Sequence, residues 1–499
     1  MAKRYEKALQ YLLNVMNQME KNGDTYCDDE YLYRACCREN NRLTYEQYRR
    51  DKNNLIRQQM LYLEGRRIYL KRTWDYEVAA ADRLADILAH NVTEGVELHD
   101  PLECGGVTLS PQQREAIKTA LGSRLSMILG GAGSGKTTLI QAMVDAAPFP
   151  RYAVVAAAPT GKAARNLTER TGIQARTIHS ALGKIPDENF LDPIHWEYVR
   201  LIVIDEASMM SLEMLAGILN RVSKDCRVVL LGDPNQLLAV GAGNVLSDLL
   251  ALDIPVTHLE QQYRQCENAE ALRYNVVEFQ KLHDVSELRW DDSFRLIPAD
   301  DAEISKIVCR EASRRYLAGE SVQVLSATNY RTAFSAANLN CGIQNLVNPL
   351  EEGAPTWGNF RNGDRIIVLK NNSELDLSNG DVGILLLLGD TAILALDHRA
   401  GVWSTDHPPR DMALAYALTV HKSQGSQYDT VILPVSTATA KMLYRNLLYT
   451  AISRARKQVI LVGSKEAIHV AMQVVPHPRR SKLVARTQML LLQHAARVA

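Results

Sequence analysis

The chain has 499 residues, 46% of them apolar and 23% charged. At about 100–200 residues per domain, this length excludes a single small fold and predicts three or four domains, while the ordinary composition excludes wholesale disorder. Lys plus Arg and Asp plus Glu both number 57, so the zero net charge singles out no partner, although a balanced total hides any local basic stripe.

The opening segment, MAKRYEKALQYLLNVMNQMEK, carries Glu6 and Glu20 and lacks the apolar core and small-residue cleavage site of a secretory leader. Leu9, Leu12, Leu13 and Met16 recur there at helical spacing. Residues 43–89 read as a helix, a Glu64-Gly65 turn, the short strand Arg67–Leu70 and another helix. A winged-helix module and a helical packing domain with one strand both fit residues 1–100. Arg66, Arg67, Lys71 and Arg72 suit a phosphate backbone, yet 16 basic residues face 17 acidic ones in this stretch. Asn91 to Gly106 reads as a linker.

From Leu109 apolar runs alternate with helical segments. Ser126–Leu129, Tyr152–Ala158, Leu201–Ile204 and Arg227–Leu231 predict one parallel sheet covered on both faces. Val322–Ser326, Ala413–Thr419, Thr430–Pro434 and Gln458–Val462 predict a second. Between members of the second set lie Asp364–Lys370, Asp381–Leu388 and Thr391–Asp397, punctuated by Asn362-Gly363, Asn379-Gly380 and Gly389-Asp390. Gly and Asn at those turns predict a small all-β insertion, barrel-like in pattern. The predicted fold class is therefore α/β, with two parallel-sheet lobes, a β-barrel insertion in the second and a helical N-terminal domain. The boundaries are 1–100, 109–258, 259–352 with 411–499, and 353–410. No repeat period or low-complexity tract is evident.

The eight cysteines include no C-x-x-C pair, which predicts scattered reduced thiols and not a metal site. The most apolar stretch, Ile384 to Leu396, is broken by Gly389-Asp390 and falls short of the roughly 18 residues a membrane span needs. A cytoplasmic protein with no membrane partner is expected.

Chemistry concentrates at three points. Gly130-Gly131-Ala132-Gly133-Ser134-Gly135-Lys136-Thr137 satisfies G-x-x-x-x-G-K-[ST] between a strand and the helical run that starts at Thr138. Its glycines let backbone N–H groups turn toward phosphates, and the helix N-terminus adds its positive dipole end. Lys136 suits the β/γ-phosphates and Thr137 suits Mg²⁺. The strand Leu201–Ile204 ends in Asp205-Glu206. Downstream of such a loop, Asp205 is the expected Mg²⁺ ligand and Glu206 the expected general base. After the next strand, Gln236 in Gly232-Asp233-Pro234-Asn235-Gln236 offers a carboxamide to a γ-phosphate or a water.

From Leu109 to about Gly463 the chain resembles the superfamily 1 helicases, and within them the RecD-like 5′→3′ branch. The likeness runs through Leu109-Ser110-Pro111-Gln112-Gln113, Ala158 to Ala164, Ala175 to Ser180, Asp205 to Met210, Gly232 to Leu249, Tyr263-Arg264-Gln265, Thr419 to Gly425, and Leu448 to Arg456, in the family's order. It implies two RecA-like lobes with ATP in the cleft, single-stranded DNA across both, and a small Src-homology-3-like barrel as the insertion. It implies adenine reading by Gln113, arginine fingers at Arg264 and Arg454, nucleotide contacts at Gly425 and Gln427, and strand contacts at Thr160, Lys162, His179, Thr419, His421 and Lys422. Where the family often has Glu for the ribose, this chain has Gln427, which bonds a hydroxyl without charge. The last 59 residues hold eleven basic residues against Glu466 alone, the local excess that the neutral total concealed.

In RecD-like enzymes a short pin meets the duplex fork where residues 182–198 lie here, and Phe190 and Trp196 would stack on a base there. The function expected is ATP- and Mg²⁺-dependent DNA unwinding. The rivals are a DNA-stimulated translocase that does not unwind and a helicase subunit of a multi-chain recombination or repair nuclease complex. A protein partner would dock through the N-terminal domain.

Overall fold

The computed structural model describes residues 2–90, 95–98, 102–184, 193–260, 269–372, 375, 377–396, 400–404, 411–440 and 442–498. Three helices, Ala2–Lys21, Asp29–Glu39 and Tyr45–Arg57, precede the strands Leu61–Glu64 and Arg67–Leu70 and the helix Lys71–Leu88. Arg67–Leu70 is a strand as its sequence predicts. It is the centre of a three-stranded antiparallel sheet between Tyr26–Asp28 and Leu61–Glu64, two strands too short to show a period.

The first parallel sheet has six strands in the order Val256–Leu259, Leu125–Gly130, Arg227–Gly232, Leu201–Ile204, Val154–Ala158, Ala175–Thr177. Its two edge strands escape the apolar-run criterion because edges are less buried. Successive side chains go to opposite faces. Met127, Leu129, Ile202, Ile204, Val228 and Leu230 enter one core, and Ile128, Leu201, Val203, Val229 and Leu231 the other. The first core also takes Ala80, Ala81, Leu84 and Ile87 from helix Lys71–Leu88, so that face of the helix belongs to this lobe's interior. Trp196 is there too, 9% exposed and packed in the lobe core. This corrects the expectation that it stacks on a base: a large indole gains more by burial than by standing in a surface loop. Phe190 lies outside the described residues.

The second sheet has the order Phe294–Pro298, Ala455–Gly463, Tyr428–Val435, Val322–Ser326, Ala417–Thr419, all parallel. The single strand expected over 413–419 is two. Met412–Leu414 pairs antiparallel with Arg365–Val368 in the insertion, and Ala417–Thr419 joins the lobe. Buried Asp364 forces the break. It accepts from Gln344 Nε2 (2.6 Å), the Arg361 amide (2.7 Å), Asn348 Nδ2 (2.8 Å) and the Tyr416 hydroxyl (3.0 Å), pinning Tyr416 at the junction.

The insertion is a five-stranded antiparallel sheet, Ala400–Ser404, Thr391–Ala395, Val382–Leu388, Arg365–Val368, Met412–Leu414, with a separate Thr356–Trp357/Phe360–Arg361 pair. Leu385 and Leu387 point into its core while Ile384, Leu386 and Leu388 are exposed. The last helix, Leu483–Val498, follows the second lobe in sequence but packs on Lys71–Leu88, with Leu483 in the first lobe's core. No helix among the described residues is long and apolar enough to cross a membrane.

Candidate nucleotide site and strand-facing surface

Strand Leu125–Gly130, buried along its length, delivers the Gly-rich loop at the carboxyl edge of the first sheet. Gly133 (φ +90°) and Gly135 (φ +82°) adopt the left-handed conformation that lets the loop curl before helix Lys136–Ala146. Lys136 Nζ donates to the Gly130 carbonyl and, at 3.0 Å, to that of Gly131, so its ammonium closes over the loop. Two strands away, Asp205 accepts the Glu206 amide at 2.8 Å. Burial, then the charge of Glu206, push the Asp205 carboxyl up to about 6, against the pull of Lys136. Glu206 sits at φ +53°, a conformation costing about 1–3 kcal/mol in a non-Gly residue. Its Oε2 is buried with no hydrogen-bond partner.

Between these strands, Arg227–Gly232 ends in Asp233, which is buried and accepts from the Tyr449 hydroxyl at 2.7 Å and from Gln236 Nε2 at 3.4 Å. Tyr449 belongs to the second lobe, on helix Arg445–Ile452. From the end of the same helix Arg454 donates Nη2 to Gln236 Oε1 at 2.8 Å and Nε to the Thr450 carbonyl at 3.1 Å. The Leu237 amide donates to Thr450 Oγ1 at 3.1 Å. The loop after the third strand of one lobe is thus stitched to a helix of the other.

Lys136, Asp205, Glu206, Gln236 and Arg454 line one cavity of about 280 Å³. From the first lobe it receives Gly131, Ala132, Gly133, Ser134, Gly135, Lys136, Thr137, Thr138, Asp205, Glu206 and Gln236, and from the second Gly425, Gln427 and Arg454. Helix Gly161–Thr171 supplies Ala163, Asn166, Leu167 and Arg170, which the sequence reading missed. Their i, i+3, i+4, i+7 spacing does mark one helix face. Asn166 Nδ2 donates to the Gly425 carbonyl, a further stitch between lobes. Gly130 lines a neighbouring 510 Å³ cavity with His258, Glu260 and Tyr449. Gln113 reaches neither. It is the third residue of helix Pro111–Gly122, its Oε1 accepts the Ser110 amide at 3.0 Å, and Ser110 Oγ accepts its own amide at 3.2 Å. That reciprocal cap consumes the carboxamide oxygen. Arg264 lies outside the described residues.

Of the expected strand contacts, Thr419 and Lys422 line a 720 Å³ cavity under the insertion, with Asn329, Tyr330, Phe360 and Arg361. Burial lowers the Lys422 ammonium. Thr160 caps helix Gly161–Thr171 through the Ala163 amide at 3.2 Å, and Lys162 Nζ donates to the Gly380 carbonyl of the insertion at 3.4 Å. His179 lies on the short helix Ile178–Ala181, and exposed His421 on the turn His421–Ser423.

A Gly-rich phosphate loop, a strand-end Asp-Glu pair and a polar loop bonded to an arginine of a second parallel-sheet lobe define a two-lobed P-loop nucleotide-binding protein. The AAA domain family matches residues 108–290, and the UvrD-like helicase C-terminal domain matches residues 414–462. The chain is 31% identical over 464 residues to the RecBCD enzyme subunit RecD of Mycolicibacterium smegmatis, covering 83% of this chain and 81% of that protein. It is 33% identical over 435 residues to the ATP-dependent RecD2 DNA helicase of Deinococcus radiodurans, covering 85% of this chain and 59% of that protein. A solved Pif1 helicase at forked DNA overlays 79% of the chain with a TM-score of 0.45 at 21% identity. The chain belongs to the RecD-like branch of the superfamily 1 ATP-dependent DNA helicases.

Proposed function

We propose that the chain hydrolyses ATP in the interlobe cavity and uses the cycle to move 5′→3′ along single-stranded DNA and open duplex. The observation that supports this is the mixed lining: Lys136, Asp205 and Glu206 come from one lobe and Arg454, Gly425 and Gln427 from the other. A phosphate chain bound there touches both lobes, so its cleavage changes what holds them together.

In this reading the Gly131–Thr138 backbone and Lys136 bind the phosphates and neutralise their charge. The Thr137 hydroxyl and the Asp205 carboxylate, hard oxygen donors that both line the cavity, suit Mg²⁺. Among the described residues there is no cluster of three or more His, Cys, Asp or Glu to hold a metal alone, which fits an ion whose shell the substrate completes. When bound, Mg²⁺ offsets charge on the phosphate oxygens. Glu206 takes the proton of the attacking water on its carboxylate. Arg454 meets the charge that spreads over the transferring phosphoryl group, and Gln236 orients Arg454 and the water. Arg264 is the second finger, Gln427 bonds the ribose, and base reading by Gln113 falls to its carboxamide nitrogen, since the Ser110 cap holds the oxygen. Thr160, Lys162, His179, Thr419, His421 and Lys422 bear on the DNA strand, with phosphate contacts that carry no sequence preference.

The division into 1–100, 109–258, 259–352 with 411–499, and 353–410 belongs to the same proposal. So do a winged-helix N-terminal domain, a Src-homology-3-like insertion, and use of the N-terminal domain for a protein partner. The test is ATP turnover with and without single-stranded DNA, beside unwinding of 5′- and 3′-tailed duplexes. The reading expects stimulated turnover and opening of the 5′-tailed substrate alone. Stimulated turnover with neither duplex opened would leave a translocase.

A further inference from the structure

The loop that carries Gln236 continues as LLAVGAGN, residues 237–244, without a single charged side chain. Gly241 (φ +113°) and Gly243 (φ +93°) adopt the left-handed conformation, while Leu237 packs in the second lobe's core and Ala239 and Ala242 are buried. Its near end is fixed by Gln236 to Arg454 and Leu237 to Thr450. Its far end is held on one side by the Leu212 amide, which donates to the Ala242 carbonyl at 3.0 Å, and on the other by the C-terminal arm. Arg479, on the arm between helices Lys465–Gln473 and Leu483–Val498, donates Nη2 to the Ala239 carbonyl at 2.6 Å. Its Nη1 donates to the carbonyls of Gly243 at 2.8 Å and Gly241 at 3.4 Å. One planar fork thus holds three carbonyls of a glycine-rich loop, geometry a guanidinium supplies and an ammonium does not.

The arm itself is anchored to the N-terminal domain. The Arg480 amide donates to Asp24 Oδ1 at 2.8 Å, and the Thr25 amide donates back to the Arg480 carbonyl at 2.8 Å. The Lys482 amide donates to Glu77 Oε2 at 3.0 Å. The Gly243 amide donates to the Gly23 carbonyl at 2.9 Å, so loop and domain also touch directly. Gly23 is at φ +100°, and a Cβ there would occupy the space of the Arg479 guanidinium. The turn, the arm and the loop are therefore fitted to one another around this side chain.

We propose that Arg479 is a positioning residue for ATP hydrolysis. From the C-terminal arm it clamps the Gln236 loop against the N-terminal domain, so that Gln236 presents its carboxamide to Arg454 and the water. Ala239, the nearest clamped residue, is three positions from Gln236, and slack there is felt at the cavity. The N-terminal domain, remote from the nucleotide, thereby acts on the rate of the chemical step. This rests on the assignment of the interlobe cavity as the hydrolytic site.

The test compares full-length wild type, Arg479→Ala, Arg479→Lys and Lys136→Ala in single-stranded-DNA-stimulated ATP turnover, with thermal midpoints measured alongside. Arg479→Ala is expected to lower kcat about tenfold while KM for ATP stays within about twofold, because the clamp acts on transition-state geometry and not on phosphate binding. Guanidinium at about 10 mM, too dilute to unfold a domain, is expected to restore part of the lost kcat. Arg479→Lys, which keeps the charge without the fork, is expected to fall between and to gain nothing from guanidinium. An unchanged kcat overturns the proposal. So does a loss that tracks the thermal midpoint and is not restored by guanidinium. If Arg479→Ala does not fold, a wild-type kcat in Arg479→Lys overturns it. A wild type without turnover, or an active Lys136→Ala, instead overturns the site assignment.

Discussion

Glu206 combines three features that a surface turn would not assemble: a left-handed backbone, a carboxylate oxygen buried with no donor, and Asp205 bonded to its amide. A carboxylate that lines the cavity and has an oxygen held by no donor is suited to take a proton from water. Glu206→Gln is expected to keep nucleotide affinity within a few-fold and to slow hydrolysis by roughly 10²–10⁴. Nucleotide binding measured beside single-turnover phosphate release checks this, and a parallel loss of both would make Glu206 structural. Arg454→Ala removes the cation that Gln236 orients. Its kcat should fall by about 10³ or more with little change in KM, read from steady-state turnover at saturating DNA. Lys136, Thr137, Asp205 and Glu206 were legible because each is set by its neighbours in sequence: a strand, a turn, a helix start. Asn166 and Arg170 were not, because a polar helix face looks the same in sequence whether it meets solvent or lines a cavity. Gln113 shows the converse, a motif residue whose carboxamide oxygen is taken by the helix cap beside it.

Element boundaries follow the same divide. The central strands are apolar end to end and buried on both faces, so composition alone marks them. The run 413–419 looks like one strand, yet the Tyr416 hydroxyl on buried Asp364 splits it between two sheets. Trp196 looks like a fork-facing aromatic and is packed in the lobe core. The fork-facing role remains a proposal for residues 187–195, of which 187–192 lie outside the described residues and Ile194 packs against the lobe core. Replacing them with a short Gly-Ser turn is expected to leave single-strand-stimulated turnover largely intact while unwinding collapses. Base stacking resists opening by about 1.4 kcal/mol per step, and a motor that pulls one strand needs something to block the other. Turnover and fork unwinding measured on the same preparation decide it: wild-type unwinding places the wedge elsewhere, and loss of turnover places the segment in the lobe.

At the scale of the molecule, the chain's two ends close on each other. Arg486 on the last helix donates Nε to fully buried Glu77 at 2.9 Å and Nη2 to Glu64 at 2.7 Å. Removing one partner strands a buried charge, so Arg486→Ala should destabilise by about 3–5 kcal/mol. Denaturant midpoints check this, and the double change Glu77→Gln with Arg486→Met should recover much of the loss. From residue order alone come the phosphate loop, the acidic strand end, the two apolar strand sets and the family likeness, because hydrogen-bond geometry and burial over a few consecutive residues dictate them. Only the tertiary structure decided that Arg454 reaches Gln236 and that helix Gly161–Thr171 walls the cavity. Only it decided that the C-terminal arm lies against the N-terminal domain. Those pairings join residues tens to hundreds of positions apart, and they are selected by the shape and charge of surfaces that exist only once the sheets have formed.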